Sequence, residues 1–255
     1  MIAGVEDVTG RRVVELFGVP VDVLTMEQTV SAVRKLVADG SPHQHVVVNA
    51  AKIVELGRNP ALAEVIRGCD LVNADGKAVV WASRILGSPL PERVAGIDLF
   101  EKLVEAAHHD GSSVYFLGAR PEIVAAVAGV LTARHPGLQV AGFHDGYWSD
   151  DEAMVAEVRA AQPDYVFLAI PSPRKEFWLN QHLQALGAPF VMGVGGSFDV
   201  LAGKVGRAPR WVQEIGMEWA WRVGQEPRRL AKRYLVGNTA FIAMTVSEWR
   251  KGLRS

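Results

Sequence analysis

Two groups of residues have the types and the spacing needed to act on a phosphorylated substrate. Asp75 lies in Asn-Ala-Asp-Gly at residues 73–76, after a short apolar run, where a carboxylate could take a proton from a hydroxyl nucleophile. Gly195 and Gly196 follow another apolar run, and glycines allow backbone N–H groups to approach an anion closely. Asp199 lies just beyond, where it could accept hydrogen bonds from a ribose or a base. These residues suit a nucleotide diphosphate, although a helix cap and an ordinary turn would explain the same patterns.

Further polar residues lie at the ends of other apolar runs. Asn49 ends one run, and Lys175 and Glu176 open a predicted helix after a Pro-Ser-Pro turn. Positive charge in the first turn of a helix opposes the helix dipole, which hints at an anionic ligand near Lys175. Arg93 and Asp98 share the segment Arg-Val-Ala-Gly-Ile-Asp. The arginine could bind a phosphate or a carboxylate in a two-pronged contact, whereas the aspartate could simply help to cap a helix.

The composition excludes several other kinds of site. Cys69 is the only cysteine, so neither a disulfide framework nor a cysteine metal cluster is expected. The seven histidines show no metal-ligand spacing, and we expect no bound metal. The chain contains no GxGxxG, GxxxxGK[ST] or GxSxG motif, which argues against nicotinamide, P-loop and hydrolase sites and predicts that no cofactor is needed.

Alternating apolar runs and helical patterns must position these residues. Residues 13–24 predict a small strand pair, and from Ser113 onward four short apolar runs alternate with predicted helices. This order predicts an α/β fold, with a parallel, Rossmann-like sheet that carries helices on both faces. Ligands bind beyond the carboxyl ends of such strands, so we expect the candidate residues to meet at one rim of the sheet.

The C-terminal part of the chain differs from the rest in charge and composition. Residues 204–255 contain 11 Lys/Arg against 4 Glu, a net charge of +7, whereas residues 1–203 carry −8. Four of the seven tryptophans also lie there. We predict an α/β catalytic domain at residues 1–207 and a basic, aromatic, helical appendage at residues 208–255. The appendage suits an anionic membrane surface, and its charge without a recognised motif gives little support for nucleic acid.

The chain shows no sign of an export signal or a membrane span. Its first residues contain no apolar signal core, and no uncharged apolar run approaches the ~18 residues that cross a bilayer. We therefore expect a cytoplasmic protein. The oligomeric state is left open, with association through the appendage or an apolar helix face as an alternative to a monomer.

Taken together, the motifs resemble the WecG/TagA/CpsF family of bacterial glycosyltransferases, glycosyltransferase family 26. The resemblance extends over nearly the whole chain, from about Val13 to Tyr234. It rests on six segments in order: NADG at 73–76, RVAGID at 93–98, YFLGARPE at 115–122, PSPRKEFW at 171–178, GVGGSFDVLAGKVGRAPRW at 193–211 and EWAWRVGQEPRRLAKRYL at 218–235.

The resemblance implies an enzyme that binds peripherally to the inner face of the cell membrane. Such an enzyme moves a sugar from a UDP-sugar to a sugar already linked to a polyprenyl diphosphate, in cell-surface polysaccharide or teichoic acid synthesis. The resemblance also implies inversion at the anomeric carbon without a bound metal. It allows a donor of the ManNAc, ManNAcA, Glc or GlcA type.

The resemblance also implies roles for individual residues. Asp75 matches the general base for the acceptor hydroxyl, Asn49 lies beside the sugar, and Arg93 lies near the acceptor or the diphosphate. The residues that match the nucleotide-binding turn are Gly195, Gly196 and Asp199. The basic positions expected to meet the lipid-linked diphosphate or the membrane are Arg222, Arg229, Lys232 and Arg233.

Two positions depart from the family pattern. Val47 stands where many members have a threonine, two residues before the rim asparagine, and Lys175 stands where many have a glutamine. The added cation is compatible with a donor that carries a carboxylate, such as a uronic acid. Two alternatives from other classes are a membrane-surface adaptor with a decayed nucleotide pocket, and a UDP-sugar epimerase or dehydrogenase. The missing dinucleotide motif disfavours the second of these.

Overall fold

A small antiparallel sheet begins the part of the chain that the structure describes. The structure, a computed structural model, describes residues 5–6, 11–214, 216–225 and 227–252, with the backbone alone described at 5–6, 210, 214, 219, 222, 225, 227–235 and 252. The three strands of the first sheet are β1 (Val5–Glu6), β2 (Arg12–Leu16) and β3 (Val19–Asp22). The strand pair predicted at residues 13–24 is therefore confirmed.

A six-stranded parallel sheet forms the centre of the protein. Its strands are β4 (His43–Val48), β5 (Leu71–Ala74), β6 (Ser113–Gly118), β7 (Gln139–His144), β8 (Tyr165–Ala169) and β9 (Phe190–Gly193). They lie in the order β5-β4-β9-β8-β6-β7, and every neighbouring pair is parallel. This arrangement confirms the predicted α/β fold with a Rossmann-like core.

Helices connect and cover these strands. They are α1 (Met26–Asp39), α2 (Ala50–Leu56), α3 (Pro60–Arg67), α4 (Lys77–Ile85), α5 (Gly96–Asp110), α6 (Pro121–Arg134), α7 (Asp151–Ala161), α8 (Arg174–Leu186), α9 (Ser197–Leu201), α10 (Arg210–Glu214), α11 (Glu218–Gln225) and α12 (Pro227–Gly252). Residues at the helix ends explain where α1 begins and ends. Thr25 and Gln28 form a capping box at its start, and Gly40 ends it with φ 80°. Sequence analysis missed α9, because five residues are too few to show helical periodicity.

Both faces of the central strands are buried, as a parallel sheet requires, whereas the edge strand β7 is only partly buried. On β6, Phe116 faces one apolar cluster with Phe100 of α5, whereas Tyr115 and Leu117 face another with Trp178 of α8. Successive residues of a strand point to opposite faces, so apolar residues are needed at every position. This is why the strands appear in the sequence as short continuous apolar runs.

The last helix packs against the body of the protein. Phe241 of α12 is buried in an apolar cluster with Ile53 and Val54 of α2, and its ring centroid lies 5.3 Å from that of Phe17. Within the described residues, no helix is both long enough and apolar enough to cross a membrane. The packing of Phe241 against α2 therefore anchors α12 to the body of the protein.

Candidate active site

The candidate residues lie where the strand order of the sheet reverses. After β4 the chain forms β5, which lies beside it at one edge of the sheet. The strands β6, β7 and β8 lie on the other side of β4, beyond β9. Doubly wound sheets bind ligands at the carboxyl ends of the strands beside such a reversal. Asn49 follows β4 there, exposed, and its Oδ1 caps α2 by accepting a hydrogen bond of 3.0 Å from the Lys52 N–H.

Asp75 is held at this rim by the backbone of two neighbouring segments. Its N–H donates to the Val48 carbonyl at 2.8 Å, and its Oδ2 lies 3.4 Å from the Gly96 N–H, at the start of α5. Its side chain is half-buried. The N-cap of α4 is Gly76, without a capping side chain, so Asp75 is not the helix cap that its sequence context also allowed.

The side chain beside Asp75 is apolar. A Cβ placed on Gly96 would lie 3.3 Å from a methyl group of Val47 and 3.8 Å from Asp75 Oδ2. The side chains of Val47 and Asp75 therefore both lie against Gly96, at the start of α5.

Arg93 and Asp98 both form ion pairs with the C-terminal part of the chain. Arg93 is bound to Glu218 of α11, and Asp98 lies 2.6 Å from Arg207. The prediction that Asp98 helps to cap a helix was wrong, because the N-cap of α5 is Ala95 and Asp98 lies within the first turn. The Arg93–Glu218 pair joins α11 to the loop before α5, and the Asp98–Arg207 pair joins α5 to the segment after α9.

The glycine turn after β9 is tighter than the sequence suggested. Gly195 has φ +54°, and its N–H points at the Leu168 carbonyl at 3.4 Å rather than freely into the rim. Gly196 is exposed and is the N-cap of α9. The carbonyl of Asp199 accepts hydrogen bonds from the N–H groups of Lys204 and Val205, while its half-buried carboxylate lies in the first turn of α9.

A buried cluster of charged side chains lies beneath the rim. Lys52 of α2 and Glu176 of α8 form an ion pair of 2.6 Å, and Lys175 Nζ lies 3.8 Å from the same carboxylate oxygen. The residues are 7%, 2% and 9% exposed, respectively. Charges so deeply buried are tolerated only when they are paired and hydrogen-bonded. The ion pair of Lys52 and Glu176 therefore connects α2 to α8.

The ionisation of the cluster follows from its burial and its charges. Burial lowers the pKa of Lys175 to about 8, helped by Lys52 and opposed by Glu176 and Asp75. Burial alone would raise the pKa of Glu176, but Lys52 and Lys175 outweigh it and the pKa is lowered. Glu176 is therefore ionised at neutral pH, and Lys175 changes its charge not far above it.

A neutral histidine lies beside this cluster. Asn73 donates from Nδ2 to Thr29 Oγ1 at 3.2 Å, so its Oδ1 accepts a hydrogen bond of 3.0 Å from His45 Nε2. Burial lowers the pKa of His45 to about 4, and Lys52 and Lys175 add to the effect. His45 is therefore uncharged at neutral pH and adds no positive charge to the cluster.

The sequence did not single out Lys52 or Glu218, and although Arg207 was expected to bring positive charge to this rim, its pairing with Asp98 was not predicted. One signal for Lys52 was available, because a lysine inside the apolar helix segment Ala-Ala-Lys-Ile-Val is out of place unless its charge is paired. No signal pointed to Glu218 as the partner of Arg93. The predicted positions whose side chains lie outside the described residues are Arg222, Arg229, Lys232 and Arg233.

Comparison with known sequences decides between the candidate protein classes. The profile of the "Glycosyl transferase WecG/TagA/CpsF family" matches residues 14–255. The chain belongs to this family. This member of the WecG/TagA/CpsF family is therefore an enzyme, a glycosyltransferase, and the resemblance found in its motifs is confirmed. Family membership argues against the adaptor and against the epimerase or dehydrogenase.

Named relatives of the chain include proteins of Bacillus spizizenii and Staphylococcus aureus. A protein of Bacillus spizizenii is 34% identical over 175 residues, which cover 69% of this chain and 68% of the relative. A protein of Staphylococcus aureus strain MW2 is 32% identical over 230 residues, which cover 89% of this chain and 91% of the relative. Both relatives are named N-acetylglucosaminyldiphosphoundecaprenol N-acetyl-beta-D-mannosaminyltransferase.

Proposed function

We propose that this enzyme transfers a sugar of the N-acetylmannosamine type from UDP to a sugar linked to a polyprenyl diphosphate. The observation that carries the proposal is the position of Asp75, at the rim between the glycine turn and the loop that bears Arg93. The charge of Asp75 also acts on Lys175 beside that turn. The names of the relatives support both the N-acetylmannosaminyl group and the lipid-linked acceptor.

In this proposal Asp75 is the general base. It accepts the proton of the acceptor hydroxyl while that oxygen attacks the anomeric carbon and the bond to the UDP oxygen breaks. The attack comes from the side opposite the leaving group, so an α-linked donor gives a β-linked product. The β configuration in the relatives' names supports this stereochemistry. Asn49, exposed beside the same rim, is placed to contact the sugar.

The charge of the departing UDP must be stabilised, and we propose that cations of the protein do this without a bound metal. We assign this role to Lys175, which lies against the glycine turn, and to Arg93, whose guanidinium is also paired with Glu218. The glycine turn and Asp199 would hold the nucleotide itself. The appendage would supply further positive charge from Arg222, Arg229, Lys232 and Arg233.

A panel of UDP-sugars tests the proposed reaction. The purified enzyme is incubated with undecaprenyl-diphosphate-linked GlcNAc and, separately, with UDP-ManNAc, UDP-ManNAcA, UDP-Glc and UDP-GlcA. Mass spectrometry then identifies the product, and a chelator is added in a parallel series. We expect transfer from one donor of the ManNAc type, unaffected by the chelator. Binding of UDP without transfer from any of these donors would contradict the proposed reaction.

We also propose that the appendage and α4 form one membrane-facing surface. Gly216 packs on Lys77, because a Cβ added to the glycine would lie 3.1 Å from that of the lysine. Trp81 and Ile85 follow Lys77 at helical spacing, on the same side of α4. Five exposed apolar residues of α4 and of residues 211–221 would contribute to this surface, here called the apolar patch: Trp81, Ile85, Trp211, Met217 and Trp221.

Substitutions in the apolar patch test the membrane surface. The variant Trp81→Ser/Trp221→Ser should bind vesicles that contain phosphatidylglycerol at least about tenfold more weakly than the parent, because each lost tryptophan removes a large apolar contact. Binding is measured by co-sedimentation. Tyr147→Ser is the control, since this exposed aromatic follows β7 at the opposite edge of the sheet. If the two variants co-sediment equally well, the patch does not face the membrane.

A further inference from the structure

Two glycines, Gly193 and Gly195, leave the space that the side chain of Lys175 occupies at the rim. A Cβ on Gly193 would lie 2.9 Å from Lys175 Cδ, so the aliphatic part of the lysine occupies the space that any side chain would need. The ammonium then lies 3.3 Å from the position of a Cβ on Gly195. The glycines thus allow this cation to reach the turn where the nucleotide is proposed to bind.

The hydrogen-bonding capacity of this ammonium is only partly used. An ammonium has three N–H donors. Within the described residues, one donates to the Gly193 carbonyl at 3.1 Å, and the Glu176 carboxylate lies farther away at 3.8 Å. Glu176 is already engaged by Lys52 at 2.6 Å. Lys175 therefore keeps hydrogen-bonding capacity that the described residues do not use.

The position of Lys175 also costs folding free energy. Burial penalises its charged form, which is why its pKa is lowered to about 8. A buried cation that destabilises the fold is typical of a functional site, where a ligand supplies the missing interaction. An anionic ligand that lies against the glycine turn, beside the ammonium, would supply that interaction.

We propose that Lys175 binds the β-phosphate of the UDP leaving group and makes the site prefer a nucleoside diphosphate to a monophosphate. The inference rests on the proposed function, which puts the sugar at Asp75 and the nucleotide at the glycine turn. The bond that breaks joins the anomeric carbon to the β-phosphate, so its phosphate end falls where the ammonium lies. A carboxylate on the donor sugar is the other anionic oxygen that could reach Lys175.

Binding of UDP and UMP separates these roles. Isothermal titration calorimetry is done with each nucleotide on the parent enzyme, on Lys175→Gln and on Lys102→Gln, an exposed lysine of α5 that serves as the charge-matched control. We expect Lys175→Gln to weaken UDP binding by about tenfold to a hundredfold, as for a lost charge-assisted hydrogen bond, and UMP binding by less than about threefold. Lys102→Gln should change neither.

The other possible results of these titrations would contradict either the assignment of Lys175 or the proposed function. Equal losses for UDP and UMP would show that Lys175 only supports the turn, and would overturn the assignment. Unchanged UDP binding, with a loss confined to a UDP-uronic acid, would assign the ammonium to a sugar carboxylate instead. Failure of the parent enzyme to bind UDP would overturn the proposed function itself. Binding of UDP by the parent, with unequal effects on the two nucleotides, supports both.

The pH dependence of UDP affinity tests the same assignment without replacing Lys175 by an uncharged residue. The charged or titratable groups that face Lys175 are Lys52, Asp75, Glu176 and His45. Glu176 has a lowered pKa and that of His45 is about 4, so neither changes its charge above pH 7. We expect UDP affinity of the parent to fall as the pH rises through and above about 8, and Lys175→Arg to keep its affinity there. Parallel losses in the two proteins would overturn the assignment.

Discussion

Replacing Asp75 by asparagine should abolish sugar transfer while leaving the fold and UDP binding intact. The amide has the same shape as the carboxylate and can keep its oxygen near the Gly96 N–H, now at 3.4 Å from Oδ2. It cannot accept the proton of the acceptor hydroxyl. Loss of a general base lowers kcat by about 10²- to 10⁴-fold. The measurement is kcat for transfer from the active UDP-sugar, with UDP affinity determined in parallel by calorimetry.

Asp145→Asn provides the matched control. Asp145 also follows a strand of the large sheet, β7, and its Oδ1 accepts a hydrogen bond of 2.8 Å from the Tyr147 N–H. It lies at the opposite edge of the sheet from Asp75. We expect this variant to keep the activity of the parent. The base would have to be sought elsewhere if Asp75→Asn retained more than about a tenth of the parent kcat, since that exceeds the residual rate expected without a base.

The parallel sheet could be predicted because its signals are local. Each buried strand is a short apolar run closed by glycine, proline or a polar residue, and the helices between them start at recognisable positions such as Thr25 and Pro121. The strand ends then placed Asn49 and Asp75 at one rim, because parallel strands end at the same edge. The helix predicted to open with Lys175 and Glu176 is α8, which begins at Arg174.

The partners of the site residues could not be predicted, because they are distant in sequence. Arg93 and Glu218 are 125 residues apart, and Lys52 and Glu176 are 124 apart. Nothing in a single sequence states which helix faces meet. The capping role predicted for Asp98 was wrong for a related reason. The Val94 N–H donates a hydrogen bond of 2.9 Å to the Ala74 carbonyl, which is distant in sequence, and this bond fixes the loop so that α5 begins at Gly96.

Replacing Glu176 by glutamine should destabilise the protein by about 3–5 kcal/mol, because the buried lysines Lys52 and Lys175 would lose their common carboxylate. Urea denaturation measures this change in the free energy of unfolding. The exposed pair of Arg120 and Glu122 gives the control, since Glu122→Gln should cost less than about 1 kcal/mol. If the two substitutions cost the same, the buried ion pair does not hold α2 to α8.

The pH dependence of stability gives an independent test of the same carboxylate. Its pKa in the folded protein is lowered from the unfolded value near 4.5. The folded state therefore binds this proton less readily, and the stabilisation is present above pH 4.5 and lost as the pH falls through the folded pKa. Lys175 has the opposite effect, because its pKa of about 8 in the folded protein lies below the unfolded value of 10.5. Its charge destabilises the folded protein fully below pH 8, and this effect fades as the pH rises towards 10.5. The difference in unfolding free energy between the parent and Glu176→Gln should therefore shrink at acid pH, and an unchanged difference down to pH 3 would contradict the ionised pair.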